Sequence, residues 1–120
     1  MVTGTVQRSI GAAVLAALAF LAFAQPAAAK PAPEIEFTYN VAFRRHYQFP
    51  NNDAVGYGRT ICDAVQRGDT YSVVVADVRN AITPNDEESV NYLVSNAVDI
   101  LCPAQIWELR QSAAGYRPER

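Results

Sequence analysis

Apolar residues fall into two kinds of pattern along the chain. Residues 10–23 run fourteen positions without a polar side chain. From about residue 34 the apolar positions instead recur three and four apart, the period of an amphipathic helix. Ile35, Tyr39, Phe43 and Tyr47 stand four apart, with Phe37 and Val41 beside them, and predict a first helix over 34–47. The β-branched and aromatic content of this stretch also suits a strand. Pro50-Asn51-Asn52 predicts a loop. Asp53 is placed to cap a second helix over 54–67, with Ala54, Gly58, Ile61, Cys62 and Val65 inward and Gly68 at the position after the C-cap. Gly56 and Gly58 each weaken that helix by about 1 kcal/mol relative to Ala. Close approach of a neighbouring helix is the simplest reason to keep them.

Tyr71, Val74, Val75, Val78 and Ile82 predict a third helix, capped by Asp69 or Thr70. Thr83-Pro84-Asn85-Asp86 reads as the start of a fourth, with Thr83 as N-cap, Pro84 at N1 and Asp86 at N3 reaching back to the cap amide. Val90, Leu93, Val94, Ala97, Val98 and Leu101 form its apolar face, and Pro103 ends it. Ile106, Trp107 and Leu109 predict a short turn packed under the bundle. The fold class expected is all-α: a small four-helix bundle.

The uninterrupted apolar run belongs to a different task. Arg8 precedes it, Gln25 and Pro26 break it, and Ala27-Ala28-Ala29 follows before Lys30. A basic n-region, an apolar h-region and a small-residue site are the layout of a cleavable secretory signal. The run is shorter than the roughly 20 residues that span a bilayer. Cleavage is expected after Ala29, with Ala24 the second choice. The domain plan is thus a signal peptide over 1–29, a linker over 30–36, a helical domain over 37–110 and a flexible tail over 111–120. Expected localisation is secreted or cell envelope, with no stable membrane span after cleavage.

Export changes the reading of the cysteines. Cys62 and Cys102 both lie beyond the signal, and an exported chain meets an oxidising compartment, where disulfides persist. A pair of cysteines allows one intramolecular bridge. It closes a loop of about 40 residues, worth roughly 4 kcal/mol in the chain-entropy model. Intermolecular pairing is the alternative. Two Cys and one His fall short of a closed zinc site, so no metal and no cofactor are expected.

Without the signal, nine basic residues face twelve acidic ones, net −3. This argues against a nucleic-acid partner, which needs a clustered basic footprint. Asp86-Glu87-Glu88 fits the first turn of a helix as macrodipole stabilisers better than it fits a cation cluster. Arg44-Arg45-His46 is expected as a solvated helix face, with a phosphate or acidic partner as the other reading. His46 has no second group at a recognisable spacing to orient it as a catalyst. Gly56-Tyr57-Gly58 lacks the preceding strand and third glycine of a dinucleotide loop. The aromatics are numerous: six Tyr, five Phe and one Trp. Tyr57 and Tyr92 fall off the predicted apolar stripes. Together with Arg44 and Arg45 they are the candidate partner-binding residues, although extra core contact explains them as well.

The stretch 57–103 resembles a family of small exported actinobacterial proteins, found in mycobacteria and some of their phages and catalogued as domain of unknown function 732. The shared features are Gly58-Arg59-Thr60-Ile61-Cys62 at the end of a small-residue helix and Gly68 six residues on. A Val-rich segment, the Thr83-Pro84 cap and Ala97-Val98…Cys102-Pro103 follow. The resemblance implies a secreted, mainly helical domain with one structural disulfide and carries no activity with it. Tyr39 and Phe43 depart from the smaller residues it leads one to expect.

No catalytic constellation is visible. The expected function is a non-enzymatic envelope or extracellular module that binds a protein or envelope component through an aromatic-bearing helical face. The alternative is a carrier of a small apolar ligand or lipid, with Gly56, Gly58 and the Val/Leu faces lining a cavity. A small hydrolase using His46 is the remote third.

Overall fold

The computed structural model describes residues 30–118. The signal peptide expected over 1–29 lies outside the described residues. Helix α1 begins at Pro33 and runs as Pro33–Thr38, then continues without a break as a π-helix over Tyr39–Arg44. It thus starts within the segment 30–36 read as linker. Pro33 suits the first helical position because its missing N–H has no intrahelical partner there. Four more α-helices follow: α2 Ala54–Gln66, α3 Tyr71–Ala81, α4 Glu87–Leu101 and α5 Ile106–Ala113. The described domain is all-helical; its strand-like pairing is an isolated antiparallel bridge between Gln48 and Thr83.

Helix α4 is the centre of the fold and touches α1, α2, α3 and α5. Its Val90, Leu93, Val94, Ala97 and Val98 are all buried, as the apolar face predicts. Ile61 and Val65 of α2, and Val74, Val75 and Val78 of α3, close over it. Each such side chain contributes about 1.5–3 kcal/mol on burial. Cys62 of α2 and Cys102, just past α4, form the expected disulfide across a Cα–Cα distance of 6.1 Å, within the ordinary range. The bridge joins two helices already packed together.

Local chemistry explains the helix ends. The Asp53 carboxylate accepts the Gly56 N–H at 2.9 Å and starts α2. At its other end, Gly68 N–H donates to Val65 C=O and Asp69 N–H to Ala64 C=O, with Gly68 at φ 98°. That double bond with a left-handed residue is the Schellman stop, and a Cβ is strained there. Helix α3 is capped from a distance. Thr70 makes no side-chain cap bond. Instead Ser112 Oγ, on α5, accepts the Tyr71 N–H at 3.0 Å.

Five expectations are corrected. There are five helices among the described residues, not four, because 106–113 forms a helix held by buried Leu109 and the Ser112 cap. Trp107 on that helix is not packed beneath the bundle but exposed. The chain beyond 111 stays on the domain as far as Tyr116, whose hydroxyl donates to Glu87 Oε1 at 2.8 Å and whose ring meets Tyr71 edge-on at 4.8 Å. The N-cap of α4 is Asp86, which accepts the Ser89 N–H at 3.1 Å. Thr83 lies outside the helix, its C=O taken by the Gln48 N–H at 2.9 Å.

The fifth correction concerns α1. It ends at Arg44, so Arg45, His46 and Tyr47 lie beyond the helix; His46 adopts φ 57°. Its inward face is Phe37 and Val41, both fully buried, and not Ile35, Tyr39 and Phe43. Gly58 decides the phase. A Cβ built on it would lie 2.8 Å from Phe37 Cε2 and 2.6 Å from Leu101 Cδ1. The Phe37 ring thus occupies the space that a side chain on Gly58 would need, and α1 rotates to seat it. Gly58 thereby supplies the close approach expected of it, whereas a Cβ on Gly56 would meet the capping Asp53 carboxylate.

Candidate functional site

Rotation of α1 leaves a row of large apolar side chains outside. Ile35 is 65% exposed, Tyr39 54% and Phe43 73%. The four-residue spacing stacks them along one line of the helix. The Tyr39 and Phe43 rings lie nearly parallel, with centroids 6.1 Å apart and planes 17° apart. Val55, at the start of α2, and Thr38 floor a shallow groove beside the row, and Glu34 bounds its end. Glu34 is held by Arg59 Nη2 at 2.6 Å. A contiguous apolar patch of this kind is uncommon on a small monomer and marks interaction surfaces.

The candidate binding residues drawn from the sequence fall elsewhere. Tyr57 on α2 is half-buried and tilted against Phe49, with centroids 5.9 Å apart. Tyr92 on α4 is half-buried as well. It stacks on Tyr47 with planes 2° apart, and the Arg45 guanidinium lies 3.5 Å from its ring centroid. Tyr47 and Phe49 complete a continuous row from Tyr57 to Arg45. This row pins the segment between α1 and α2 onto α4. Tyr57 and Tyr92 are therefore used within the fold. Arg45 is brought to them by a cation–π contact, while Arg44 stands exposed at the end of α1. Burial raises the hydroxyl pKa of Tyr47, and the Arg45 charge partly opposes it. Burial likewise raises those of Tyr57 and Tyr71, as it disfavours phenolate.

The acidic trio divides its work. Asp86 caps α4, and the Ser89 hydrogen bonds hold its carboxyl below the usual value. Glu87 pairs with Arg79 at 2.6 Å and accepts from Tyr116. Glu88 is exposed. Among the described residues no group of three His, Cys, Asp or Glu side chains is close enough to hold a metal ion, and no helix is long and apolar enough to cross a membrane. A second concavity lies between α4 and α5, a cleft of about 360 Å³ of mixed character, with Asn91, Asp99 and Arg110 facing it beside Tyr92, Ile106 and Leu109. Asn91 accepts the Tyr71 hydroxyl at 2.6 Å, and Asn96 meets Asn40 at 3.4 Å, so both amides are engaged within the protein. The glycines expected to line a carrier cavity do not: Phe37 and Leu101 fill the space at Gly58.

The ridge is absent from the candidate binding residues because the sequence leaves open which apolar row of α1 faces inward. Two apolar rows share α1, and periodicity reports a row without saying which one faces inward. The only available signal was that the neighbouring Phe37–Val41 pair has the same spacing.

Fold and site together define a small helical domain closed by one disulfide, with an apolar ridge on its first helix. Within that class the chain belongs to the family described as Protein of unknown function (DUF732), whose model matches residues 33–104. The match takes in the ridge and both cysteines and stops before α5. No curated protein and no solved structure matches the chain.

Proposed function

We propose that the protein is an exported, non-enzymatic binding module of the cell envelope or extracellular space, and that it engages its partner through Ile35, Tyr39 and Phe43. One observation carries the reading: three large apolar side chains in line on one helix are each more than half exposed. Aromatic side chains are favoured anchors at binding surfaces because they bring large, stiff contact area. The disulfide suits an oxidising destination, and the Ala27-Ala28-Ala29 site supplies the route there.

A photo-crosslinking residue at position 43, with a control at exposed Gln66 on α2, tests the surface in the producing cell. Crosslinks at 43 and none at 66 are expected; equal yields at both sites overturn the ridge as the binding surface. Export is tested by intact mass. Protein recovered outside the cell should begin at Lys30 and weigh about 2 Da less than its reduced form, the mass of two thiol hydrogens. A full-length intracellular chain with both thiols free overturns it.

A further inference from the structure

We infer that the ridge pairs with a second copy of this chain, antiparallel, about a two-fold axis at Tyr39. The inference rests on the ridge being a binding surface, and it names the partner.

The row is symmetric in sequence. Ile35 and Phe43 each lie four residues from Tyr39. A two-fold axis through the middle of the row sets Tyr39 against the second copy's Tyr39, and Ile35 against its Phe43. An isologous contact requires this self-complementarity. The flanking charges are centred one residue further on, at Asn40. Glu36 comes one residue after Ile35 and Arg44 one residue after Phe43, so both lie on the same flank of the row, at opposite ends. Eight residues, about two helical turns, separate them, and they do not pair within one chain. Both are exposed, and neither enters an ion pair among the described residues. The antiparallel two-fold brings Glu36 to the same flank as the second copy's Arg44, two residues from direct register and within reach of two long side chains, twice over. A parallel two-fold instead puts these flanks on opposite sides of the seam and forms neither pair. On the other flank Glu34 is already satisfied by Arg59.

The alternatives fit this pattern less well. An anionic membrane selects a rim of one basic sign beside an apolar face; this rim carries one acid and one base. An unrelated protein partner gives no reason for one acid and one base to stand on the same flank at opposite ends of the row. The patch is one helix face and lies below the roughly 1,600 Å² of a standard interface, so the pairing is weak, micromolar or looser.

Sedimentation equilibrium of the mature, disulfide-bonded protein from about 1 μM to about 1 mM covers the affinities such an interface allows. A reversible monomer–dimer equilibrium is expected. Glu36→Arg and Arg44→Glu should each raise the dimer Kd about tenfold, through lost attraction and new repulsion at two symmetric contacts. The double variant E36R/R44E should return it to within about threefold of the parent, because the swapped charges face each other again. Phe43→Glu should raise it about a hundredfold or more. A protein monomeric throughout this range, or a double variant no tighter than the single ones, overturns self-pairing. Crosslinking at position 43 and flotation with phosphatidylglycerol vesicles separate the two readings. Capture of another protein or of vesicles by a monomeric chain leaves the ridge as a binding surface and removes the second copy. A monomer with neither removes both.

Discussion

Helices α1 and α4 carry the same signal in the sequence, apolar residues three and four apart, and meet opposite fates. Every member of the α4 face that lies between Val90 and Val98 is inside. On α1, Phe37 and Val41 are inside while Ile35, Tyr39 and Phe43 face solvent. The difference lies in how many faces are apolar. Helix α4 sits between four neighbours and its stripe has one place to go. Helix α1 lies at the edge, with two apolar rows and partners for one of them. A second apolar row on an edge helix is surface available for recognition, and here it is the surface assigned to binding.

The sharpest test of this contrast uses one substitution at two sites. Phe37→Ala should destabilise by about 3–5 kcal/mol, through lost burial and the cavity left over Gly58. Phe43→Ala, six residues along, should change stability by no more than about 0.5 kcal/mol. Urea titration of both variants reads the difference directly; equal losses would remove the contrast between the rows, and the reverse ranking would invert it. Gly58→Ala attacks the same contact from α2. It should cost about 1–3 kcal/mol by overpacking against Phe37 and Leu101, and Phe37→Leu in the same chain should recover part of it.

The start of α4 gives a smaller effect. Asp86→Ala should lower the melting temperature by a few degrees, while Thr83→Ala leaves it nearly unchanged, since Asp86 is the residue that caps. The opposite ranking would restore Thr83 as the cap.

The pH dependence should be gentlest. Tyr47, Tyr57 and Tyr71 have hydroxyl pKa values raised above the ordinary 10.0. Their neutral forms are favoured in the fold, so that contribution is complete below pH 10 and is lost as pH rises beyond it. Asp86 is shifted downward from 3.8, so its contribution is present above that value and fades as pH falls below it. Melting curves across pH should therefore be flat between these limits from these groups. The acid limb should become shallower in the Asp86→Ala variant.

Much of the architecture is legible without coordinates. The inward stripes of α2 and α3, the Asp53 cap, the Gly68 stop and the Cys62–Cys102 bridge follow from period, turn chemistry and cysteine count. These are local rules, or in the case of the bridge a matter of elimination. The candidate site was not legible. Tyr57 and Tyr92 fall off the stripes and suggested recognition, yet both are taken up by the row that runs to Arg45. Ile35, Tyr39 and Phe43 match the helical period, which by itself does not say whether the row is buried.

The residues alone determined that α2, α3 and α4 are helical, where α2 stops and which sulfurs meet, because these depend on neighbours a few positions away or on there being a single possible pair. Only the tertiary structure decided which way α1 turns, because that depends on a Phe37 ring fitting a gap at Gly58, twenty-one residues distant in the chain. Long-range packing chose between two rows that local periodicity ranks as equals. The row left outside is exposed, and it is the surface we propose binds a partner.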